Sequence, residues 1–449
     1  MGASNPTTPK PTLKRQISTF SREMEYFSEA ELSKQTGQPR DRWYPDVCAK
    51  ELIDNALDAC EGFTMPRITI ELTDKDLTVA DNGPGIPAGL VRRTLDYRSR
   101  TTDKLAYVSP TRGAQGNALK TVFAIPFVLG GGKEAVIEIE AQGLRHRIVI
   151  TTDPIAARPV LRDETAQIVK KQGTKVRVSA SLKDRDRALV FLQKLVLDYS
   201  LFNPHATFIL NGEGHGALDP CWHKWRANEP TSAHWYDVER LEALLGSYLT
   251  AERGRKNERT VREFVSEFRG LSGTAKQTRV TDATGLGRAY LGDLVVDGRF
   301  DRDLTSRLLD AMQAESRPVP PEGLGKLGED HFRKILAAEG KGDEKTFRYA
   351  VVKGCDQGGL PYLAEVAFSM LSKGSPLRGL HAGLNWAVPL GDPLQANEFN
   401  VDDKNAVMGM QALLYKQQID IRWDEVSLLM HLASPRFRFL DRGKGSVSL

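Results

Sequence analysis

The sequence predicts an α+β protein, with mostly antiparallel strands layered against helices, then a helical segment, then a second mixed block. Three observations carry that expectation. The runs "RITIEL", "LTVADNG", "AVIEIEAQG", "RHRIVITTD" and "TKVRVSASL" alternate with the period of half-buried strands and are separated by short turns. Residues 232–317 hold helical spacing without a convincing strand, and "SRPVPPEGLGKLG" then breaks the pattern with Pro318, Pro320 and Pro321. Strands joined as hairpins rather than through regular βαβ units argue against a doubly wound parallel sheet.

The elements follow in chain order. Residues 1–15 are rich in Pro, Thr and Lys and are expected to be flexible. "EYFSEAELSKQTG" reads as a helix, and a longer helix runs through 46–61. "RITIEL" and "LTVADNG" flank a turn at Asp74–Lys75, "AVIEIEAQG" and "RHRIVITTD" form a hairpin, and the first block closes after "HATFILNGEG". "DVERLEALLGSYL", "TVREFVSEFRGL" and "LTSRLLDAMQAE" supply the helical segment. Mixed content returns in "FRYAVVKG", "LAEVAFSML", "LNWAVPL", "QIDIRW" and "VSLLMHLAS". The expected division is 1–15, 16–230, 231–318 and 319–449, with no fixed-period repeat.

Composition limits the class. A chain of 449 residues has room for two to four cores, and 40% hydrophobic with 27% charged residues is a globular balance. The 62 Lys and Arg nearly match 58 acids, so the net charge of +4 permits nucleic-acid contact without arguing for it. Cys48, Cys60, Cys221 and Cys355 are scattered, which disfavours a thiolate metal site and suits a reducing compartment. "MGASNPTTPKPTLKRQ" has no apolar signal run, and Pro6 breaks the myristoylation pattern. No stretch approaches the roughly 18 apolar residues of a membrane span, so a cytoplasmic protein is expected.

Four short segments carry the chemistry. In "AKELIDNALDAC" and the residue after it, Glu51, Asp54, Asn55, Asp58 and Glu61 share an arc of about 120°, opposite Leu52, Ile53, Ala56, Leu57, Ala59 and Cys60. Alone, that fits a surface helix with a solvated acidic face. In "VADNGPGIP" a strand delivers Asp81 into a loop where Gly83 and Gly85 permit close approach of a ligand, and a carboxylate there suits an exocyclic amine. "SPTRGAQGNALKT" places Gly113, Gly116 and Ala118 ahead of a helix, where backbone N–H groups suit phosphate, although the Gly-Lys-Ser/Thr ending of a P-loop is absent. Gly173–Thr174 opens the strand in "KQGTKVRV" and is uninformative by itself.

Together, in this order, these segments resemble the Bergerat-fold (GHKL) ATPases: E-x-x-x-N-x-x-D-A, D-x-G-x-G about 25 residues on, a Gly-rich lid and a Gly-Thr strand. That superfamily includes gyrase B, MutL, the ninety-kilodalton heat-shock chaperone and histidine kinases. The resemblance implies ATP and Mg²⁺ as cofactors. Asn55 would hold Mg²⁺, Glu51 would act as general base and Asp58 would support the site. Asp81 would bind the adenine amine, with Gly83, Gly85, Ile86 and Thr174 beside it. Gly113, Ala114, Gln115, Gly116, Asn117 and Ala118 would form the lid over the phosphates, with Leu119 and Lys120, at the start of the following helix, also binding the nucleotide.

The intervening sequence is most similar to the B subunits of DNA topoisomerase VI. "DYRSRTTDKLAYVSPTRGAQGNALK" resembles the segment in which a Ser-Lys pair precedes an "SRGQQGIG" lid. Lys104 would match that lysine near phosphate, Asp103 stands in place of the serine, and Asn117–Ala118 replaces Ile-Gly. "PTSAHWYDVERLEALL" and "TVREFVSEFRGLSGTAKQ" resemble the entry to its helix–two-turns–helix insert, and "RPVPPEGLGKLGEDHF" the lead into its transducer domain. "GLNWAVPL" resembles a transducer strand, and "HLASPRFRFLDRGKGSV" the loop whose lysine touches the γ-phosphate, a resemblance by which Lys444 would be the switch lysine rather than a tail lysine in a basic terminus.

The expected function is therefore a Mg-ATP-dependent clamp that forms a homodimer on binding ATP, residues 15–30 strapping the partner, and handles double-stranded DNA. The family's stalk helix, and the segment that docks its DNA-cleaving partner, have no counterpart before Leu449. Two uses stand open: partnership with a topoisomerase VI A-like chain carrying the cleaving tyrosine, or a stand-alone switch in a mobile-element or defence system. No tyrosine here is assigned that cleaving role. A non-hydrolysing nucleotide-sensing scaffold is the alternative, and no membrane partner is expected.

Overall fold

The computed structural model describes residues 22–63, 65–98, 106–112, 118–156, 158–169, 172–226, 229–252, 258–395, 398–402, 405–415, 417–440 and 446–448. The expected flexible segment 1–15 and the first part of the strap lie outside these residues. A single 3₁₀ segment at Arg22–Phe27 precedes α1 (Glu29–Thr36), so the first expected helix is split. Ser28 makes the break, its side chain capping α1 by accepting from Glu31 N. α2 (Cys48–Cys60) follows, with Leu52, Ile53, Ala56, Leu57 and Cys60 buried as the helical wheel requires.

β1 (Arg67–Leu72) and β2 (Asp76–Ala80) pair antiparallel, Ile70 opposite Val79. α3 (Ala88–Thr94) and α4 (Ala118–Leu129) come next. Then follow β3 (Ala135–Ala141), β4 (Leu144–Asp153), β5 (Arg158–Gln167), β6 (Thr174–Ser179), α5 (Arg185–Phe202), β7 (Thr207–Leu210) and β8 (Glu213–His215). They make one sheet in the order β5-β4-β3-β6-β2-β1-β7-β8. All its pairs are antiparallel except β1 with β7. Alternation decides which face is covered: Ile137 and Ile139 of β3 join Val176 and Val178 of β6 in the core beneath α2, α4 and α5.

The helical stretch contains α6 (Val238–Glu252), α7 (Val261–Ser266), α8 (Thr274–Thr284) and α9 (Arg302–Ala314). It also contains a two-residue pair, β9 (Val295–Val296) with β10 (Arg299–Phe300), where no strand was expected. α10 (Glu329–Ala338), β11 (Arg348–Cys355), β12 (Pro361–Met370), β13 (Gly379–Leu384), β14 (Glu398–Asp402), β15 (Asn405–Met408), α11 (Gln411–Tyr415) and β16 (Val426–Ala433) complete the mixed block. Its main sheet runs β11-β12-β16-β13, with β13 parallel to β16. "LNWAVPL" corrects the sequence reading. The strand ends at Leu384, and Asn385 and Trp386 turn the chain with φ of 46° and 66°. "QIDIRW" likewise forms turns rather than a strand. Among the described residues, no helix is long and apolar enough to cross a membrane.

The C-terminal sheet packs on the first core, since Ala367 and Leu429 share it with α5. A buried carboxylate fixes this junction. Glu365 of β12 accepts from Leu327 N (2.9 Å), Gly328 N (2.8 Å) and Tyr349 Oη (2.8 Å), and its Oε2 lies 3.0 Å from His431 Nδ1. Burial alone would raise its pKa, but His431 and the two backbone N–H groups outweigh burial and bring it down to about 2. A depressed carboxylate stabilises the fold above its ordinary pKa, and that contribution disappears as pH falls through about 2. Glu365→Gln is expected to flatten the pH dependence of the urea midpoint between about 4.5 and 2, removing a slope worth on the order of 3 kcal/mol. An unchanged slope would show that Glu365 does not anchor the junction.

Candidate functional site

The end of β2 and the start of β6 are tied into one knot. Asp81 N donates to Thr174 O at 2.9 Å, and Asp81 Oδ1 accepts from Gly83 N at 2.8 Å and Thr174 N at 3.1 Å. Thr174 Oγ1 accepts from Ile86 N at 3.2 Å, and Gly173 N donates to Gly83 O at 2.8 Å. Thus Asp81, Gly83 and Ile86 share one hydrogen-bond set with Thr174, which lies about 90 positions further on. Gly85 sits at φ +85°, and a Cβ there would lie 3.0 Å from Gly173 O. Gly173, at φ +78°, is tighter still: a Cβ would fall 2.0 Å from Asp81 O, a clash with backbone that nothing can relieve. The loop is docked on α2, because a Cβ on Gly83 would meet Ala59 O at 3.0 Å and Cys60 Sγ lies 3.4 Å from Asn82 Oδ1.

The polar arc of α2 is not a solvated face. Asp54 and Glu61 are buried, and Glu51, Asn55 and Asp58 are only partly exposed. Asn55 Nδ2 donates to Glu51 O at 2.8 Å, which engages the amide nitrogen rather than Oδ1. Glu51 Oε1 is held at 2.8 Å by Lys50 Nζ, which also pairs with Asp54 at 3.1 Å. Burial opposes a charge on Lys50, but the two carboxylates outweigh it and raise its pKa. Asp54, by contrast, is raised by its own burial despite Lys50, and it accepts from Tyr199 Oη at 2.8 Å.

At the far end of the arc, Asp58 pairs with Arg112 at 2.9 Å, and Arg112 also binds Glu61. Lys224 shares Glu61 and is pushed down to about 8 by burial and by the neighbouring Arg112 charge. Burial pushes Glu61 up, yet the two cations bring it below the ordinary carboxylate range.

Ala118, Leu119 and Lys120 form the first turn of α4, which packs against α2. Lys120 is buried, its Nζ donating to Asp96 O at 2.5 Å above the Tyr97 ring. Asp103, Lys104, Gly113, Ala114, Gln115, Gly116, Asn117 and Lys444 lie outside the described residues. The sequence reading missed Lys50, Arg112 and Lys224. For Lys50 a signal existed in its place beside Glu51 and four residues before Asp54; for the other two, partnered across 51 and 163 positions with Glu61, none did.

The donor set suits a hard cation held largely by its substrate. No group of three His, Cys, Asp or Glu side chains among the described residues is arranged to hold a metal alone. Mg²⁺ typically takes one or two protein oxygens and completes its shell with phosphate and water, and Asn55 Oδ1 would supply such an oxygen.

No protein-family profile matches the chain. It is 25% identical over 341 residues to the B subunit of Type 2 DNA topoisomerase 6 from Archaeoglobus fulgidus, a match covering 71% of this chain and 53% of that protein. The corresponding protein of Methanococcoides burtonii is 26% identical over 313 residues, covering 65% of this chain and 47% of its own length. The chain thus spans about half the length of the curated relatives it matches. Two solved structures of the ATPase region of Saccharomyces cerevisiae topoisomerase II, one bound to ICRF-187, align with TM-scores of 0.40 at 12% and 13% identity. They cover 90% of this chain and 76% and 77% of those chains. In sequence, then, the chain is similar to the topoisomerase VI B subunits over about half of their length.

Proposed function

We propose that the chain is a Mg-ATP-dependent clamp ATPase of the kind found in topoisomerase VI B subunits. One observation carries the reading: the Asp81 carboxylate is locked by Gly83 N and Thr174 N in a loop docked on α2, whose polar arc is partly buried rather than solvated. Asp81 binds the adenine amine, with Gly83, Gly85 and Ile86 lining the base and Thr174 fixing the loop. Asn55 gives its amide oxygen to Mg²⁺, which neutralises phosphate charge when bound. Glu51 takes the proton of the attacking water, and Lys50 holds the carboxylate in place. Asp58 supports the site. Ala118, Leu119 and Lys120 open the helix behind the lid, while Lys104 and Lys444 reach phosphate, Lys444 from the C-terminal block.

In this reading ATP drives two copies together and hydrolysis releases them. Double-stranded DNA is the clamp's substrate, held through phosphates with steep salt dependence, and a separate A-like polypeptide supplies any strand cleavage. A second reading, a nucleotide-sensing scaffold that does not hydrolyse, draws on the Lys50 ammonium already bound to Glu51.

Steady-state ATPase assays with light scattering separate the two. The wild type is expected to hydrolyse ATP and dimerise with a non-hydrolysable analogue. Glu51→Ala should still dimerise while losing at least about 10²-fold in turnover. Dimerisation without turnover in the wild type would favour the scaffold, and unchanged turnover in Asn55→Ala would remove the Mg²⁺ assignment. Gly173→Ala is expected to abolish nucleotide binding and lower the melting temperature. Gly131→Ala, also at positive φ but with open space around the new Cβ, should lower it by far less. Equal effects would show that the 173–81 contact is not special.

A further inference from the structure

The charge cluster beyond the α2 arc joins the nucleotide helix to the C-terminal sheet. Arg112 is buried, and its Nη1 donates to Asp58 Oδ1 and to Glu61. Nη2 donates to Asn203 Oδ1 at 2.5 Å. Asn203, fully buried after α5, donates through Nδ2 to Trp386 O at 2.9 Å. The backbone beside Arg112 is held from the same turn: Thr111 O accepts from Asn385 Nδ2 at 3.3 Å. Asn385 in turn binds the Ser434 backbone through both ends of its amide, each at 2.9 Å. Lys224 closes the ring, pairing with Glu61 and standing 4.4 Å from the centroid of the Trp386 indole.

Stability alone does not explain this arrangement. Each buried ion carries a desolvation cost of several kcal/mol, and apolar side chains of similar volume often hold a junction as well or better. Arg112 Nε is also buried without an acceptor among the described residues, which leaves the network incompletely satisfied. What the ions add is directionality. A planar guanidinium whose two Nη groups have partners on different elements cannot follow a shift of α2 without straining its bond to Asn203. Asp58 stands one turn beyond Asn55 on the nucleotide-facing arc, and Arg112 immediately precedes the Gly-rich segment.

Resting on the nucleotide-site reading above, we infer that Arg112 is a positioning residue that couples the α2 face to the Asn385–Trp386 turn, so that bound nucleotide is registered in the C-terminal sheet through Asp58, Arg112, Asn203 and Trp386.

Trp386 reports on this directly, since its emission responds to displacement of the Lys224 ammonium and the Asn203 amide. The experiment titrates the full chain with Mg²⁺ and the β,γ-imido analogue of ATP. Calorimetry measures binding, and the fluorescence difference between wild type and Trp386→Phe isolates the Trp386 response. The wild type is expected to show a saturable Trp386 component. Arg112→Gln should bind the analogue with less than about fivefold change in affinity yet lose that component. If Arg112→Gln does not fold, Asn203→Ala, which keeps Arg112 but removes its link to Trp386 O, should show the same loss. Bound analogue with no Trp386 response in the wild type, or a full response in the variant, overturns the coupling. Loss of binding in the variant overturns it too, by placing Arg112 in the binding site itself. A wild type that binds no analogue instead removes the nucleotide-site reading.

Discussion

The approach of Gly173 to Asp81 is the constraint on which the candidate site depends. Two backbones meet where a single methyl group would overlap a carbonyl oxygen, and only a residue without Cβ, at φ +78°, permits it. Because the chains approach that closely, Thr174 N and Gly83 N reach the same carboxylate oxygen and Ile86 N reaches the Thr174 hydroxyl. A carboxylate fixed by two backbone donors is a preorganised acceptor, which a flexible surface Asp is not. The same closure seats Gly83 against the last turn of α2, so the position of the helix and the aim of Asp81 are set together.

Around that knot, charge is buried in pairs rather than spread over the surface. Lys50 bridges Glu51 and Asp54; Arg112 bridges Asp58 and Glu61, and Lys224 pairs with Glu61. Pairs of this kind contribute little net stability, but removing one partner strands the other. They hold side chains at defined places on a face that apolar packing alone would leave undirected. The α2 helix is thus anchored by its apolar side to the sheet and oriented by its ionic side. Glu365 repeats the device between β12, β16 and the Leu327–Gly328 turn, joining the C-terminal sheet to the same body.

What the sequence made legible follows from burial. β1, β3 and β6 alternate because one face is covered, so their pattern survives in the letters. β5 did not stand out, since "RPVLRDETAQ" is a largely exposed edge strand defined by its backbone bonds to β4. α5 was also silent, its last eight residues, about two turns, being buried on every side and showing no stripe. In the site, the polar arc of α2 and the Asp81 loop were readable because their spacing is local. Gly173–Thr174 carried no message until its partner across 93 positions was known. Nothing local in the sequence marks Arg112 and Lys224 as buried charges. "LNWAVPL" was misread since its apolar letters serve a turn whose Trp386 fills the junction.

The central claim is that the Asp81 loop and the α2 arc together form an adenine-nucleotide site. Equilibrium binding of ATP against GTP, each with Mg²⁺, tests it most directly. A carboxylate acceptor welcomes the adenine amine and meets the guanine carbonyl oxygen with repulsion and an unpaired polar group, so ATP should bind more tightly by on the order of 10²-fold or more. That preference should collapse in Asp81→Ala. Equal affinity for the two nucleotides in the wild type would contradict the account.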